Sequence, residues 1–114
     1  MKTPQTVVET AHFQKRAAAI GLDEATIDLI KTTISRNPAF GDAMQGTGGF
    51  RKGRFALPGR GKSGGVRTVH FFSGDTMPVF LIDVFSKGQK ANLTQAERNA
   101  LKSVAVAIKK EYAK

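Results

Sequence analysis

The chain has 114 residues, 40% of them apolar, and a formal net charge of +9 at pH 7. This length predicts a single domain spanning residues 1–114, and the absence of a run of 18 apolar residues excludes a membrane-spanning helix. With no cysteine, two isolated histidines and no signal-peptide-like N-terminus, we expect a cytoplasmic protein with no bound metal and no cofactor.

The first half of the chain predicts one strand followed by two helices. Residues 6–9 form a short β-branched run, and the alanine-rich stretch after it favours a helix that ends at Gly21. Asp23 is a candidate N-cap for the second helix, which carries an isoleucine stripe and stops at Asn37 and Pro38. A glycine-rich connection then covers residues 41–49.

The second half predicts three strands and a final helix. The strands cover residues 50–57, 66–72 and 78–85, and short links make them antiparallel neighbours. The last helix begins at Thr94, where Thr94 and Glu97 form a capping box. This order implies an α+β fold: a mostly antiparallel sheet with two N-terminal helices and one C-terminal helix.

The segment GRGKSGG, residues 59–65, has the glycines, lysine and serine of a nucleotide-binding loop. Such a loop requires a helix behind it, whose N-terminal amides face the phosphates. The residues that follow, VRTVHFF, are β-branched and aromatic and predict a strand. The segment is therefore interpreted as the tip of a basic hairpin.

The charge is concentrated in this hairpin region. Residues 1–50 carry five cations and five carboxylates, whereas residues 51–114 carry thirteen cations and four carboxylates. No carboxylate lies between Arg51 and Phe72, where the cations are Arg51, Lys52, Arg54, Arg60, Lys62 and Arg67. Such a cluster favours a polyanionic partner, because phosphate contacts release counterions, although a solvated basic face is the alternative.

The element order and the stretch QGTGGFRKGRFALPGRGKSGGVRTVHFF resemble the RelE/ParE superfamily of bacterial toxins, and within it the HigB-like group. The resemblance covers nearly the whole chain. It implies a RelE-like fold and a type II toxin that cuts messenger RNA on the ribosome. It also implies a cognate antitoxin, expected to be a helix-turn-helix, HigA-like protein through which alone the toxin would contact operator DNA, and no membrane partner.

Carried over by position, the resemblance implies four catalytic residues: Lys52, Arg54, Arg67 and Lys87. The expected RNA or ribosome contacts are Arg51, Arg60, Lys62, His70 and Lys90. The chain differs from many relatives in having Phe85 where they have tyrosine and Gly88 where they have arginine.

The chemistry itself is consistent with cations. Attack of a 2′-hydroxyl on its own phosphate requires proton transfers and stabilisation of developing negative charge, but no metal. Lys52 and Arg54 share a strand face by period-2 geometry, and Arg67 joins them if the hairpin register allows. Arginine stays protonated and suits a phosphate clamp, which leaves Lys52 as the candidate base.

Four alternatives stay open at this level. A gyrase-targeting ParE-like toxin shares the fold, and a basic RNA-binding module without catalysis would share the charge. Arg67 could instead be a structural partner of Asp83 across the sheet. His70 could instead be a half-buried strand residue, which is the more common role of a lone histidine in a strand.

Overall fold

The computed structural model of this chain describes residues 5–56, 65–74, 77–86 and 94–112, without the side chains of Glu97 and Tyr112. Its elements in chain order are β1 Val7–Glu9, α1 Ala11–Ala19, α2 Glu24–Arg36, β2 Asp42–Ala43, β3 Phe50–Phe55, β4 Val66–Phe71, β5 Val79–Ser86 and α3 Gln95–Tyr112. None of the described helices is both long and apolar enough to cross a bilayer.

The strands form a mixed sheet in the order β1-β5-β4-β3-β2. β1 runs parallel to β5, and the other neighbouring pairs are antiparallel. The predicted α+β class and the mostly antiparallel sheet are thus confirmed. Sequence reasoning missed β2, because a two-residue strand inside a glycine-rich connection has no pattern of its own; it pairs with Arg51 and Lys52 of β3.

Polar side chains define the helix starts. The Asp23 carboxylate accepts a hydrogen bond from the Thr26 amide at 2.8 Å, as predicted for an N-cap, and α2 ends just before Asn37. Thr10 caps α1 by accepting from the Phe13 amide at 3.2 Å, and its hydroxyl also donates to the Leu81 carbonyl at 2.7 Å. The Glu97 side chain of the predicted capping box lies outside the described residues.

Each face of the sheet is covered by helices, so the protein has two apolar clusters. The cluster under α1 and α2 contains Phe13, Ala17, Ile30, Ile34, Phe55, Val66, Val79, Leu81 and Val84. The cluster under α3 contains Met44, Phe50, Val69, Phe71, Met77, Phe85 and Ala105. Alternate residues of β3 and β4 therefore enter different clusters, and both strands are held from two sides.

Candidate functional site

The hairpin register brings three predicted site cations together. Arg54 of β3 lies directly opposite Arg67 of β4, and Lys52 lies opposite Val69. Because side chains alternate along a strand, Lys52, Arg54 and Arg67 share the face that carries α3 farther along the sheet. The register thus places Arg67 on the same face as Lys52 and Arg54, which the sequence alone could not determine.

Within this cation cluster, Arg54 and Arg67 form a like-charge pair across β3 and β4, whereas Lys52 lies opposite Asp42 of β2. Like charges directly opposite each other on neighbouring strands destabilise a sheet. Within the described part of the chain, none of Lys52, Arg54 and Arg67 forms an ion pair, and the buried Nε atom of Arg67 has no hydrogen-bond partner. An anionic ligand would offset the repulsion between the cations and could accept a hydrogen bond from Arg67 Nε, because a buried donor without a partner destabilises the protein.

The opposite face of the same strands carries Arg51 and His70, which pair across β3 and β4. Arg51 donates to two backbone carbonyls, from Nε to Phe40 at 3.3 Å and from Nη2 to Gly41 at 2.8 Å. The His70 ring is fully buried, and its Nε2 lies 2.8 Å from the Pro38 carbonyl. Burial lowers the pKa of His70, the nearby Arg51 cation lowers it too, and the bond to Pro38 opposes both.

These contacts argue against two of the expected RNA contacts. A fully buried ring cannot stack on a base, so His70 leaves the proposed RNA-binding set. Arg51 points to the face opposite the cation cluster, and its guanidinium is engaged with backbone carbonyls. Sequence reasoning grouped Arg51 with its charged neighbours, because a run of cations does not reveal carbonyls that lie ten residues earlier in the chain.

A family comparison agrees with this geometry. The family model that describes the RelE toxin of the RelE/RelB toxin-antitoxin system matches residues 5–114. The chain belongs to the RelE toxin family. It is therefore a toxin of a toxin-antitoxin system with an antitoxin partner, and RelE toxins in general are endoribonucleases. The predicted RelE/ParE superfamily is confirmed at this level.

In this RelE-family chain the position opposite Arg67 on β5 is Phe85. Its side chain is buried under α3 and has no hydroxyl group. Phe85 therefore cannot act as a proton donor. The clearest chemical role of the neighbouring cations is electrostatic stabilisation of negative charge.

The remaining predicted site residues lie outside the described residues: Arg60, Lys62, Lys87 and Lys90. Residues 57–64 join β3 to β4, which are antiparallel neighbours. The residues after this segment form a strand, as predicted, which confirms that the segment is not followed by the helix of a nucleotide-binding loop.

Asp83 belongs to a different cluster from the cations. Its Oδ1 lies 3.3 Å from His12 Nε2 and 3.4 Å from Arg16 Nε of α1, and it accepts from the Val84 amide at 2.8 Å. The alternative in which Asp83 pairs with Arg67 is therefore wrong. Its contacts attach α1 to β5.

A cavity of about 460 Å³ lies beside this cluster, between α1, β5 and α3. Its lining is mostly apolar and includes Ile82, Leu101 and Val104. None of Lys52, Arg54 and Arg67 lines it. Because Val69, which lies opposite Lys52, also lines it, the cavity is on the same sheet face as the cations.

No group of three or more histidine, aspartate or glutamate side chains lies close enough to hold a metal ion among the described residues. On β3 and β4 the only histidine, His70, faces away from the cation cluster, and neither strand contains a carboxylate. The neighbouring strands do bring carboxylates to that face, since Asp42 of β2 lies opposite Lys52 and Asp83 of β5 lies opposite Val69. Among the described residues, neither carboxylate forms an ion pair with the three cations.

Proposed function

We propose that this RelE-family toxin is a ribosome-dependent messenger RNA endoribonuclease that cuts by 2′-hydroxyl attack without a metal ion. The observation that carries the proposal is the cation cluster of Lys52, Arg54 and Arg67, which has no ion pair among the described residues. When the 2′-hydroxyl oxygen attacks the adjacent phosphorus and the bond to the 5′-oxygen breaks, negative charge builds up on the phosphate oxygens in the transition state. Three cations on one face suit that charge.

The roles follow from side-chain chemistry. We assign Arg54 and Arg67 to the phosphate oxygens, because planar guanidinium groups bind them in bidentate fashion. Lys52 can lose a proton where arginine cannot, so we assign it the role of base in addition to its charge. Lys87 is included in the proposed catalytic set because the family resemblance implies it at this position of the sequence.

Dependence on the ribosome follows from what the cation cluster offers. Free RNA rarely holds its 2′-hydroxyl in line with the departing 5′-oxygen, and alignment contributes much of the rate in such reactions. Cations alone stabilise charge but do not impose that alignment. A ribosome that holds the messenger in a fixed conformation would supply it.

The remaining parts of the proposal concern partners. The loop cations Arg60 and Lys62, together with Lys90, are assigned to the backbone of ribosomal RNA, where phosphate contacts position a protein without reading sequence. The antitoxin is proposed to be a helix-turn-helix, HigA-like protein that mediates any contact with operator DNA. Assignment to the HigB-like group and to the cytoplasm stays a prediction of the sequence.

The direct test mixes purified toxin with messenger RNA, either free or bound in the decoding site of a ribosome. We expect rapid cutting of ribosome-bound messenger and little cutting of free messenger. The fragments should carry 2′,3′-cyclic phosphate ends. Rapid, metal-dependent cutting of free RNA would contradict the mechanism, and messenger that stays whole on the ribosome would favour a binding module without catalysis.

Single alanine variants test the site. Lys52→Ala, Arg54→Ala and Arg67→Ala should each slow cutting and relieve growth arrest, with circular dichroism unchanged. Lys109→Ala removes an exposed cation from α3 and is the matched control. Full toxicity in all three variants would contradict the site assignment.

The metal requirement needs a separate measurement, because magnesium also holds the ribosome together. A chelator is therefore added to a short substrate held in the in-line conformation, or to a crosslinked ribosome complex. Cutting should persist. Loss of cutting that magnesium restores would contradict the metal-free mechanism.

A further inference from the structure

We propose that Arg51 and His70 are positioning residues. They hold segment 38–43 against β3, on the sheet face opposite the cation cluster, and thereby fix the positions of Lys52 and Arg54. The inference rests on the proposed function for its catalytic consequence. Its structural part can be measured without activity.

The first support is a set of three bonds to consecutive parts of one segment. His70 bonds to the carbonyl of Pro38, and Arg51 donates to the carbonyls of Phe40 and Gly41. Hydrogen bonds from a charged group are stronger than neutral ones. Both side chains come from the sheet face opposite the cation cluster.

The second support is close packing between segment 38–43 and the backbone of β3. A Cβ atom on Gly53 would lie 2.5 Å from the Phe40 ring, and one on Gly41 would lie 2.8 Å from the Lys52 carbonyl carbon. The Phe40 ring also packs against Phe55, with 4.9 Å between ring centroids. The segment thus touches the backbone on both sides of the bond between Lys52 and Gly53.

The third support is the position of β3 in the sheet. Beyond β3 lies only β2 among the described strands, and β2 pairs with Arg51 and Lys52 but not with Arg54. On the side away from β4, the backbone of β3 is therefore held in place mainly by segment 38–43. A displacement of about 1 Å in a catalytic group can cost about a hundredfold in rate, so this restraint matters for cutting.

Two substitutions separate positioning from RNA contact. Arg51→Lys keeps the positive charge but cannot reproduce the two-point donation of a guanidinium, and Arg51→Gln loses both. We expect both variants to cut at least about tenfold more slowly at saturating ribosome, which corresponds to the loss of one hydrogen bond from a charged group. Ribosome affinity and its salt dependence should stay at the wild-type values.

An RNA-contacting Arg51 would give the opposite pattern. Arg51→Lys would then cut like the wild type, and Arg51→Gln would reduce the slope of log affinity against log salt by about one. That pattern would overturn the inference.

His70 is tested by the pair His70→Gln and His70→Ala. Glutamine keeps a side-chain N–H donor for the Pro38 carbonyl, whereas alanine has none. We expect His70→Gln to retain more of the cutting rate than His70→Ala. Equal rates for the two variants would remove His70 from the proposal.

Amide hydrogen exchange tests the structural part directly. In Arg51→Lys, the amides of residues 42–43 and 50–54 should exchange about tenfold faster, because local opening loses one charged hydrogen bond, while α2 exchanges as in the wild type. Lys52→Ala is the matched control, since it should slow cutting without changing this exchange. Unchanged exchange in Arg51→Lys would overturn the inference.

The two measurements also separate this inference from the proposed function. Wild-type protein that fails to cut ribosome-bound messenger would refute the proposed function. Accelerated exchange in Arg51→Lys would still support the role of Arg51 in holding segment 38–43.

Discussion

Replacing Gly53 with alanine tests how closely segment 38–43 packs on β3. The added Cβ would lie 2.5 Å from Phe40 Cε2, 2.8 Å from Phe40 Cδ2 and 3.1 Å from Thr68 Oγ1. Carbon atoms in favourable contact are about 3.5–4.0 Å apart, so the Phe40 ring must move by about 1 Å. Gly53 is buried, and its backbone does not have the positive φ that favours glycine, so this substitution tests space rather than backbone strain.

The magnitude follows from two opposing terms. Overpacking in a well-packed region costs about 1–3 kcal/mol, whereas alanine gains about 0.5–1 kcal/mol over glycine inside a strand. We therefore expect Gly53→Ala to lower the free energy of unfolding by about 0.5–2 kcal/mol. With a urea m-value of about 1–3 kcal/mol/M, the midpoint should fall by about 0.5 M.

A double-mutant cycle assigns this cost to the Phe40 ring. Urea unfolding is measured for Gly53→Ala in the wild-type background and in Phe40→Ala, where the ring is gone. The cost should shrink by about 1 kcal/mol or more in the second background, since residues in contact are not additive. The same cost in both backgrounds would refute the reasoning.

Gly21→Ala is the control for this cycle. Gly21 has φ of 76°, and an added Cβ there would meet no atom within 4 Å beyond its chain neighbours, so the cost comes from the backbone conformation alone. That cost should be the same with and without the Phe40 ring.

Three further outcomes are expected. Because folding lowers the pKa of His70, its contribution to stability should be complete above about pH 6.5 and be lost as the pH falls through the lowered pKa. Urea midpoints should show this loss in His12→Gln, which keeps His70, but much less in His70→Gln. Thr10→Ala should cost about 1–2 kcal/mol in urea unfolding, because it removes the cap of α1 and the bond to β5, and Thr10→Ser should recover most of it. Changing Arg60 and Lys62 together to glutamine should reduce the salt slope of ribosome binding by about one to two without moving the cut position, and an unchanged slope would argue against docking through this loop.

Local patterns in the sequence were sufficient for the elements other than β2 and for part of the site. Asp23 as an N-cap and the stop at Asn37 depend on side-chain and backbone groups within a few residues, so they can be recognised without the fold. The shared face of Lys52 and Arg54 follows from the period of a strand alone. Short links between the last three strands were sufficient for their antiparallel pairing.

Tertiary structure decided which partners these residues have. The register that sets Arg54 opposite Arg67 depends on how the hairpin closes, and a one-residue shift would have placed Arg67 on the other face. His70 is buried because helices cover both faces of the sheet, and alternation in one strand cannot show that. Arg51 binds carbonyls ten and eleven residues before it, a contact that exists only once segment 38–43 folds back onto β3. Spacing along the chain thus specifies faces and caps, whereas burial and hydrogen-bond partners arise from segments that meet only in the folded protein.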